Sequence, residues 1–309
     1  IFTTYKDDDA GGDTFHDGAT APARGDWAFL RFDTTSVNSL LDHVDIRYAG
    51  NLSDPGNGNW WIAALRVNGS SPTIRNSRVL HADATGVELA GGQPRLEQVT
   101  VEDVRHDAFW MNLACDPTLI GLWAVNTGGD RVALEGGTLP GNRTWDAGGL
   151  PIELYGSVTV PPGTTLTIVP GQVVKFSYNE EISVNGTLTA VGTAAQPILF
   201  TSWRDDTVGG DSNSNGASDS PVEGDWEALY LNDGSDAFGP PVRAGSLRRE
   251  RRRRSRRQLV PLRRAACQFR CGPATRGCPE QRLARRPPQR RGADPGRPRD
   301  LGGSRLCHR

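Results

Sequence analysis

The chain has 309 residues and a formal net charge of −1. This near-neutrality conceals two parts of opposite sign: residues 243–309 hold 22 arginines against four acidic residues, and residues 1–242 hold 13 basic against 32 acidic residues. The acidic part contains one cysteine, which excludes a disulfide scaffold there, and no apolar run reaches the ~20 residues that a membrane-spanning helix needs.

The chain opens with an acidic, glycine-rich loop that occurs twice. "IFTTYKDDDAGGDTFHDGA", from Ile1, aligns with "LFTSWRDDTVGGDSNSNGA", from Leu199, and each stretch continues to "GDW". We expect one structural unit used twice, with Trp27 and Trp226 packing the junction between each loop and the next coil. Because the first copy begins within the pattern, we expect a truncated N-terminus and a signal peptide that is missing from this chain.

The next element is "SLLDHVDIRYAG", residues 39–50, in which apolar and polar residues alternate. The alternation predicts a strand with Ile46 and Tyr48 facing inward and Asp45 and Arg47 on the outer face. The two charges favour an exposed ion pair. The alternative is a catalytic pair, in which the acid holds Ca²⁺ and the arginine takes a proton.

Two adjacent tryptophans, Trp60 and Trp61, follow in a loop rich in Gly and Asn. An aromatic ring can pack flat on the apolar C–H face of a sugar, and its polar handle can hydrogen-bond at the rim. At least one of two neighbouring rings is expected to face outward. The pair is therefore a candidate ligand-binding site for a polysaccharide or a cell-surface glycan.

Three segments between residues 65 and 125 share a pattern of strand, small or polar turn, proline and second strand. Their prolines are spaced 22 and 23 residues apart. This period without a helical stripe predicts a β-solenoid, whereas a leucine-rich repeat needs its own leucine pattern and a β-sandwich needs irregular hairpins. The residues expected to stack as an inward column are Ile74, Leu96 and Leu119. Residues expected to face outward include Arg66, Glu88 and Asn112.

Arg105, His106 and Asp107 lie in a turn between two of these coils. Glycoside hydrolysis uses two carboxylates about 5–10 Å apart, and such a turn can line a sugar groove. The acidic surface offers many accidental carboxylate pairs, however, so no catalytic residue is assigned. No Ser-His-Asp set, Cys-His set or phosphate-binding loop is identifiable in the sequence either.

The segment from Gly137, "GTLPGNRTWDAGGLPIELYGSVTVPPGTTLTIVPGQVVKFS", resembles the joining segment of bacterial secreted proteins with parallel β-helix repeats. So do "ISVNGTLTAVGTAAQPILFTSWRDDTVGGD" and the strand at residues 39–50. The resemblance implies export and the pectin-lyase-like fold, an all-β, right-handed parallel β-helix (solenoid) with long acidic loop insertions. It leaves the activity open, since relatives by fold include polysaccharide lyases, hydrolases, phage tailspikes and adhesins. We divide the chain into a first unit (1–137), the start of a second unit (138–239) and a tail (240–309).

The second acidic loop, residues 205–216, fits the first half of an EF-hand-type calcium loop. Asp211, Asn213 and Asn215 hold the positions whose side-chain oxygens converge on Ca²⁺. The twelfth position is Val222 instead of Glu, so a calcium loop here must be built differently, and the alternative is a turn capped by its own side chains. In the first acidic loop, residues 7–18, Phe15 replaces Asn213, and we expect weaker binding. The candidate metal ligands are Asp205, Asp206, Asp211, Asn213 and Asn215 in the second loop, and Asp7, Asp8, Asp13 and Asp17 in the first.

The tail contains no lysine and, from Pro240 onward, no Ile, Asn, Tyr, Trp or Met. An Arg-rich run can bind nucleic acid, but this composition fits GC-rich DNA that is read out of frame. We interpret the tail as an out-of-frame translation, and we do not expect nucleic acid to be a partner. Since it has no apolar face, the Arg-rich tail is expected to be disordered.

Together these features predict a secreted or cell-surface β-helix module with a structural or binding role, which recognises a glycan or another surface component. Ca²⁺ is the expected cofactor. The alternative is a calcium-dependent polysaccharide lyase or glycoside hydrolase. The binding role is favoured because no catalytic set stands out from the acidic background.

Overall fold

The computed structural model describes residues 1–36, 38–51, 63–216 and 218–232. In these ranges the chain is an all-β parallel solenoid: each strand pairs in parallel with the strand one coil before or after it, and no residue is helical. The predicted all-β solenoid is therefore confirmed. Within the same ranges there is no helix that could cross a lipid bilayer. The tail lies outside the described residues.

One long sheet runs along the solenoid. Its eight strands, in spatial order, are β1 (Leu30–Phe32), β4 (Leu65–Asn68), β7 (Val87–Ala90), β10 (Asp107–Met111), β13 (Gly129–Leu134), β16 (Ile152–Leu154), β19 (Val173–Phe176) and β22 (Leu199–Ser202). Successive side chains of a strand point to opposite faces of the sheet. The outward-facing column passes through Arg66, Glu88, Trp110, Ala133, Glu153 and Lys175. The outer face of the long sheet thus carries charges and an aromatic ring.

Four shorter sheets complete the wall of the solenoid. The N-terminal coils supply β2 (Leu40–Asp42), β5 (Thr73–Arg75), β8 (Arg95–Glu97) and β11 (Thr118–Ile120), and also β3 (Asp45–Arg47), β6 (Arg78–Leu80), β9 (Thr100–Glu102) and β12 (Trp123–Val125). The C-terminal coils supply β14 (Gly137–Thr138), β17 (Val158–Val160), β20 (Glu181–Val184) and β23 (Ala228–Leu231), and also β15 (Arg143–Trp145), β18 (Thr165–Ile168) and β21 (Thr187–Ala190). The short sheets are interrupted between β12 and β14, whereas the long sheet continues through β13.

The interior is filled by columns of apolar side chains. Ile74, Leu96 and Leu119 pair in register and are buried, which confirms the predicted inward column. The tryptophans of the two "GDW" motifs pack at the junctions as expected. Trp226 stacks on Phe176 with 4.3 Å between ring centroids, and Trp27 Nε1 donates a hydrogen bond of 2.7 Å to a backbone carbonyl.

Two corners of the N-terminal coils are turned by residues with left-handed backbone conformation. These residues, with φ between 48° and 62°, are His43, Asn76 and Gln98 at one corner and Tyr48, His81, Asp103 and Asn126 at the other. The conformation is uncommon for residues other than glycine. At the second corner, the Tyr48 and His81 rings stack at 5.1 Å, and His81 Nδ1 lies 2.7 Å from Asp103 Oδ2. The prediction that Tyr48 faces the core is wrong, because the corner turns its ring onto His81 of the next coil.

Candidate functional site

The candidate site is a groove on the outer face of the long sheet. It forms a cavity of about 470 Å³ lined by Arg66, Thr85, Glu88, Asp107, Trp110, Glu135 and Tyr155. Trp110 faces this cavity because its neighbour Phe109 pairs with the inward-facing Val87. Arg66 and Glu88 face outward as predicted. Asn112, at the start of the following turn, accepts hydrogen bonds from two backbone N–H groups there.

One wall of the groove is a fixed ion pair. Arg66 Nε and Nη2 lie 2.6 and 3.2 Å from the two carboxylate oxygens of Glu88, and the guanidinium sits 5.3 Å from the centroid of the Phe29 ring. The charge of Arg66 is therefore balanced within the wall. Glu135 is exposed, and its side chain makes no hydrogen bond or ion pair with the rest of the described chain.

The floor of the groove continues into a buried cluster of charged residues. Arg131, Glu153 and Lys175 are 5%, 2% and 0% exposed. Arg131 Nη2 lies 2.7 Å from Asp107 Oδ1, and its Nη1 lies 3.4 Å from Glu153 Oε2. Arg131 also donates a hydrogen bond to the Tyr155 hydroxyl. Arg131 thus holds two groove residues, Asp107 and Tyr155, in position.

The second acidic loop covers this cluster. Lys175 Nζ donates a hydrogen bond of 2.7 Å to the carbonyl of Gly210, and Arg131 donates one to the carbonyl of Ser212. The Ser212 hydroxyl lies 3.3 Å from Glu153 Oε2, and the Ser214 hydroxyl donates to the carbonyl of Thr127 at 2.6 Å. The loop is therefore anchored across the outer face of the long sheet.

Burial shifts the titration of this cluster. It raises the pKa of the Asp107 and Glu153 carboxyls and of the Tyr155 hydroxyl, and it lowers the pKa of the Lys175 ammonium. In each case burial penalises the charged form. Perturbed groups that lie together at a cleft are typical of functional sites, although structural ion pairs produce them too.

The two acidic loops fold alike. Asp7 and Asp205 each accept a hydrogen bond of 2.6 Å from the threonine four residues earlier. Asp13 and Asp211 each accept two hydrogen bonds from backbone N–H groups four and five residues later. Asn213 Nδ2 donates to the carbonyl of Trp203 at 3.4 Å. Many of the acidic side chains therefore cap turns within their own loop.

Three buried side-chain oxygens of these loops have no hydrogen-bond donor within the described residues. They are Asp8 Oδ1 in the first loop and Asp206 Oδ1 and Asn215 Oδ1 in the second. Burial, and then the Asp211 carboxylate, raise the pKa of Asp206. No group of three or more His, Cys, Asp or Glu in the described ranges is placed to hold a metal ion. Asp17 contributes its backbone N–H to the cap on Asp13. The calcium assignment stays a prediction.

Other candidates from the sequence have separate outcomes. Trp60 and Trp61 lie outside the described residues, and their assignment stays a prediction. Asp45 and Arg47 form the expected ion pair, with 2.8 Å between Arg47 Nη2 and Asp45 Oδ2, but the side chains are only 15% and 23% exposed, which is less than predicted. Of the turn at residues 105–107, only Asp107 lines the groove.

Sequence reasoning missed Tyr155, Arg131, Glu153 and Lys175 as parts of the site. The available signal was a single charged residue within an otherwise apolar strand, as in "IEL" and "VVKF". No protein-family model, no curated protein and no solved structure matches the chain.

Proposed function

We propose that the protein is an exported, glycan-binding module of the pectin-lyase-like type and that it binds sugars in the groove around Trp110 and Tyr155. The observation that carries the proposal is the meeting of two accessible aromatic rings with carboxylates in one cavity of about 470 Å³. Ligand pockets commonly have volumes of roughly 300–1,000 Å³. Aromatic rings can pack on the apolar faces of sugars, and carboxylates accept hydrogen bonds from sugar hydroxyls.

The charge of the groove favours an uncharged glycan. Three carboxylates, from Glu88, Asp107 and Glu135, line the cavity. Among the described lining residues the one cation, Arg66, is paired with Glu88. Asp107 is paired with Arg131 below the groove, so that Glu135 is the carboxylate left to face a ligand. A polymer of uronic acids would meet excess negative charge in the groove, and like charges repel strongly where water is partly excluded.

Isothermal titration with neutral and acidic oligosaccharides tests the proposal. Trp110→Ala removes the larger ring of the groove, and we expect it to lower the affinity for the bound neutral oligosaccharide by about tenfold or more, as truncation of an aromatic hot spot does. Tyr178→Ala is the matched control, since Tyr178 is 67% exposed and lies outside the groove. Equal affinity of the Trp110→Ala variant and wild type would contradict the proposal.

A hydrolase or lyase is the second candidate. It is favoured by Asp107, whose carboxyl lines the groove and has a pKa raised by burial, as a general acid requires. Reducing-end and 4,5-unsaturated-product assays on the same glycans, with and without Ca²⁺, distinguish an enzyme from a binding module. Turnover that is lost in Asp107→Asn would establish the enzyme, and bound glycan that stays intact would establish the binding module.

The calcium proposal rests on the unpartnered oxygens of the two acidic loops. Asp8 and Asp206 occupy matching places in the repeat, and each has one buried carboxylate oxygen without a donor. A hard cation with oxygen ligands would satisfy both. We expect Ca²⁺ to release heat and raise the melting temperature, with a smaller loss of both signals in Asp13→Ala than in Asp211→Ala. Wild-type protein that shows neither signal would exclude the ion.

A further inference from the structure

Trp123 occupies an unusual place on the outside of the solenoid. It is 62% exposed. In the outward column of its sheet, the residues of the preceding coils at the same register are Asp45, Arg78 and Thr100. The pleat therefore places a large aromatic ring where each of the three preceding coils has a charged or polar side chain. Packing inside the fold does not account for this ring, since most of its surface is open.

The ring forms one wall of a second cavity, of about 340 Å³, separate from the groove around Trp110. The other walls include residues 148–150 and the second acidic loop. Five glycines line this cavity, and an added Cβ at two of them, Gly149 and Gly210, would meet nothing within 4 Å. The main chain at these glycines is thus open to a ligand that lies flat on the Trp123 ring. Backbone N–H and C=O groups there can form hydrogen bonds with the ligand.

Two carboxylates, from Asp130 and Asp211, also line the cavity, and none of the described lining residues is a cation. Asp130 is held by hydrogen bonds of 2.8 and 3.3 Å from the Thr127 hydroxyl and N–H, and both go to Oδ1. A carboxylate oxygen has two lone pairs, so Asp130 Oδ2 and the second lone pairs of Asp211 are acceptors for ligand hydroxyls. An open aromatic ring beside oriented acceptors suits a ligand with one apolar face and several hydroxyls.

We propose that this cavity is a second sugar-binding site, which takes an uncharged hexose unit with Trp123 as its stacking platform. The proposal shares its ligand class with the proposed function but involves different residues. Uronic acids are disfavoured here because both charged groups of the cavity are carboxylates.

Fluorine NMR of the full chain labelled with 5-fluorotryptophan reports on both sites in one titration. Resonances are assigned with single Trp→Phe variants, and EDTA removes any cation from the second acidic loop. The probes are cellohexaose, mannohexaose and chitohexaose, with hexagalacturonate as the acidic control. We expect at least one neutral probe to shift the Trp123 resonance in wild type and in Trp110→Ala, and hexagalacturonate to leave it unchanged.

The two proposals can fail separately. A Trp110 resonance that shifts while that of Trp123 stays fixed would overturn the second site and leave the groove intact. A Trp123 resonance that shifts while that of Trp110 stays fixed would support the second site and contradict sugar binding in the groove. Asp130→Asn keeps the shape of the cavity, so we expect weaker binding at Trp123 with an unchanged melting temperature. A shift of the Trp123 resonance that Asp130→Asn leaves unaltered would also overturn the second site.

Discussion

Replacement of Arg131 by methionine gives the sharpest test of the buried charge cluster. The guanidinium lies 2.7 Å from Asp107 Oδ1 and 3.4 Å from Glu153 Oε2, and both carboxyls are almost fully buried. Methionine keeps much of the side-chain length but leaves two buried carboxyls without a cation. Removing one partner of a buried ion pair costs about 3–5 kcal/mol. For a folded region of this size, that corresponds to a fall in melting temperature of roughly 10 °C.

The stability lost in Arg131→Met should increase as the pH rises. Burial already raises the pKa of Asp107 and Glu153, so the folded protein binds protons more tightly than the unfolded chain at these positions. Their contribution to stability is therefore present at low pH and is lost as the pH rises through the folded-state pKa. Without Arg131 both pKa values rise further, because the cation that favours the carboxylate form is gone. The deficit of Arg131→Met should be larger at about pH 8 than at about pH 5.

Urea denaturation at both pH values measures the effect. Arg95→Met is the matched control, since Arg95 and Glu97 form an ion pair whose side chains are 44% and 36% exposed. Such surface pairs contribute less than about 1 kcal/mol. Adding Glu153→Gln to Arg131→Met should recover part of the loss. The reasoning is refuted if Arg131→Met costs no more than Arg95→Met, or if its cost is the same at both pH values.

Three further predictions concern the frame of the solenoid. Leu96→Ala should cost about 2–5 kcal/mol in urea denaturation, whereas Leu40→Ala, at a side chain that is 55% exposed, should have little effect; equal costs would contradict the inward column. Gly92→Ala places a Cβ 2.0 Å from a carbonyl oxygen of the preceding coil, whereas at Gly163, with φ of +78°, nothing lies within 4 Å. Gly163→Ala should therefore cost only the roughly 1–2 kcal/mol of a left-handed residue, and Gly92→Ala should cost clearly more in the same assay. Burial raises the pKa of the Cys115 thiol to about 12, so iodoacetamide should label its peptide only after unfolding, and rapid labelling of the native protein would show the assignment to be wrong.

The frame could be predicted because its signals are local and recur. Each of the three repeats between residues 65 and 125 places an apolar residue just after its proline, and so Ile74 and Leu96 fall in register one coil apart. The alternation of apolar and polar residues then assigns the faces, as it did for Arg66 and Glu88. The corner at Tyr48 shows the limit of this reasoning, because Tyr48 itself has a left-handed backbone conformation, which interrupts the alternation and turns its own ring onto His81.

The site was harder to predict because it depends on registers and distant contacts. A shift of one residue decides whether Phe109 or Trp110 faces outward, since strand side chains alternate with a period of two. The proline spacing, which changes from 22 to 23 residues at this coil, does not predict which of these two side chains faces outward. Glu153 and Lys175 occupy outward positions and would be exposed in a bare solenoid. They are buried because a loop from a later coil crosses them, and no local sequence pattern predicts that contact.

That crossing loop also changes how the molecule can come apart. In an ideal solenoid each coil touches only its neighbours, so that stability propagates as in a one-dimensional chain and the last coil can fray independently. Here the hydrogen bonds from Ser214 to Thr127 and from Arg131 to Ser212 join residues 87 and 81 positions apart in sequence. The coil that carries the loop is thus hydrogen-bonded to a coil several turns of the solenoid away, beside the place where the short sheets are interrupted. Unpeeling from this end must first break these hydrogen bonds, and the coils between the two attachment points should open as one cooperative block.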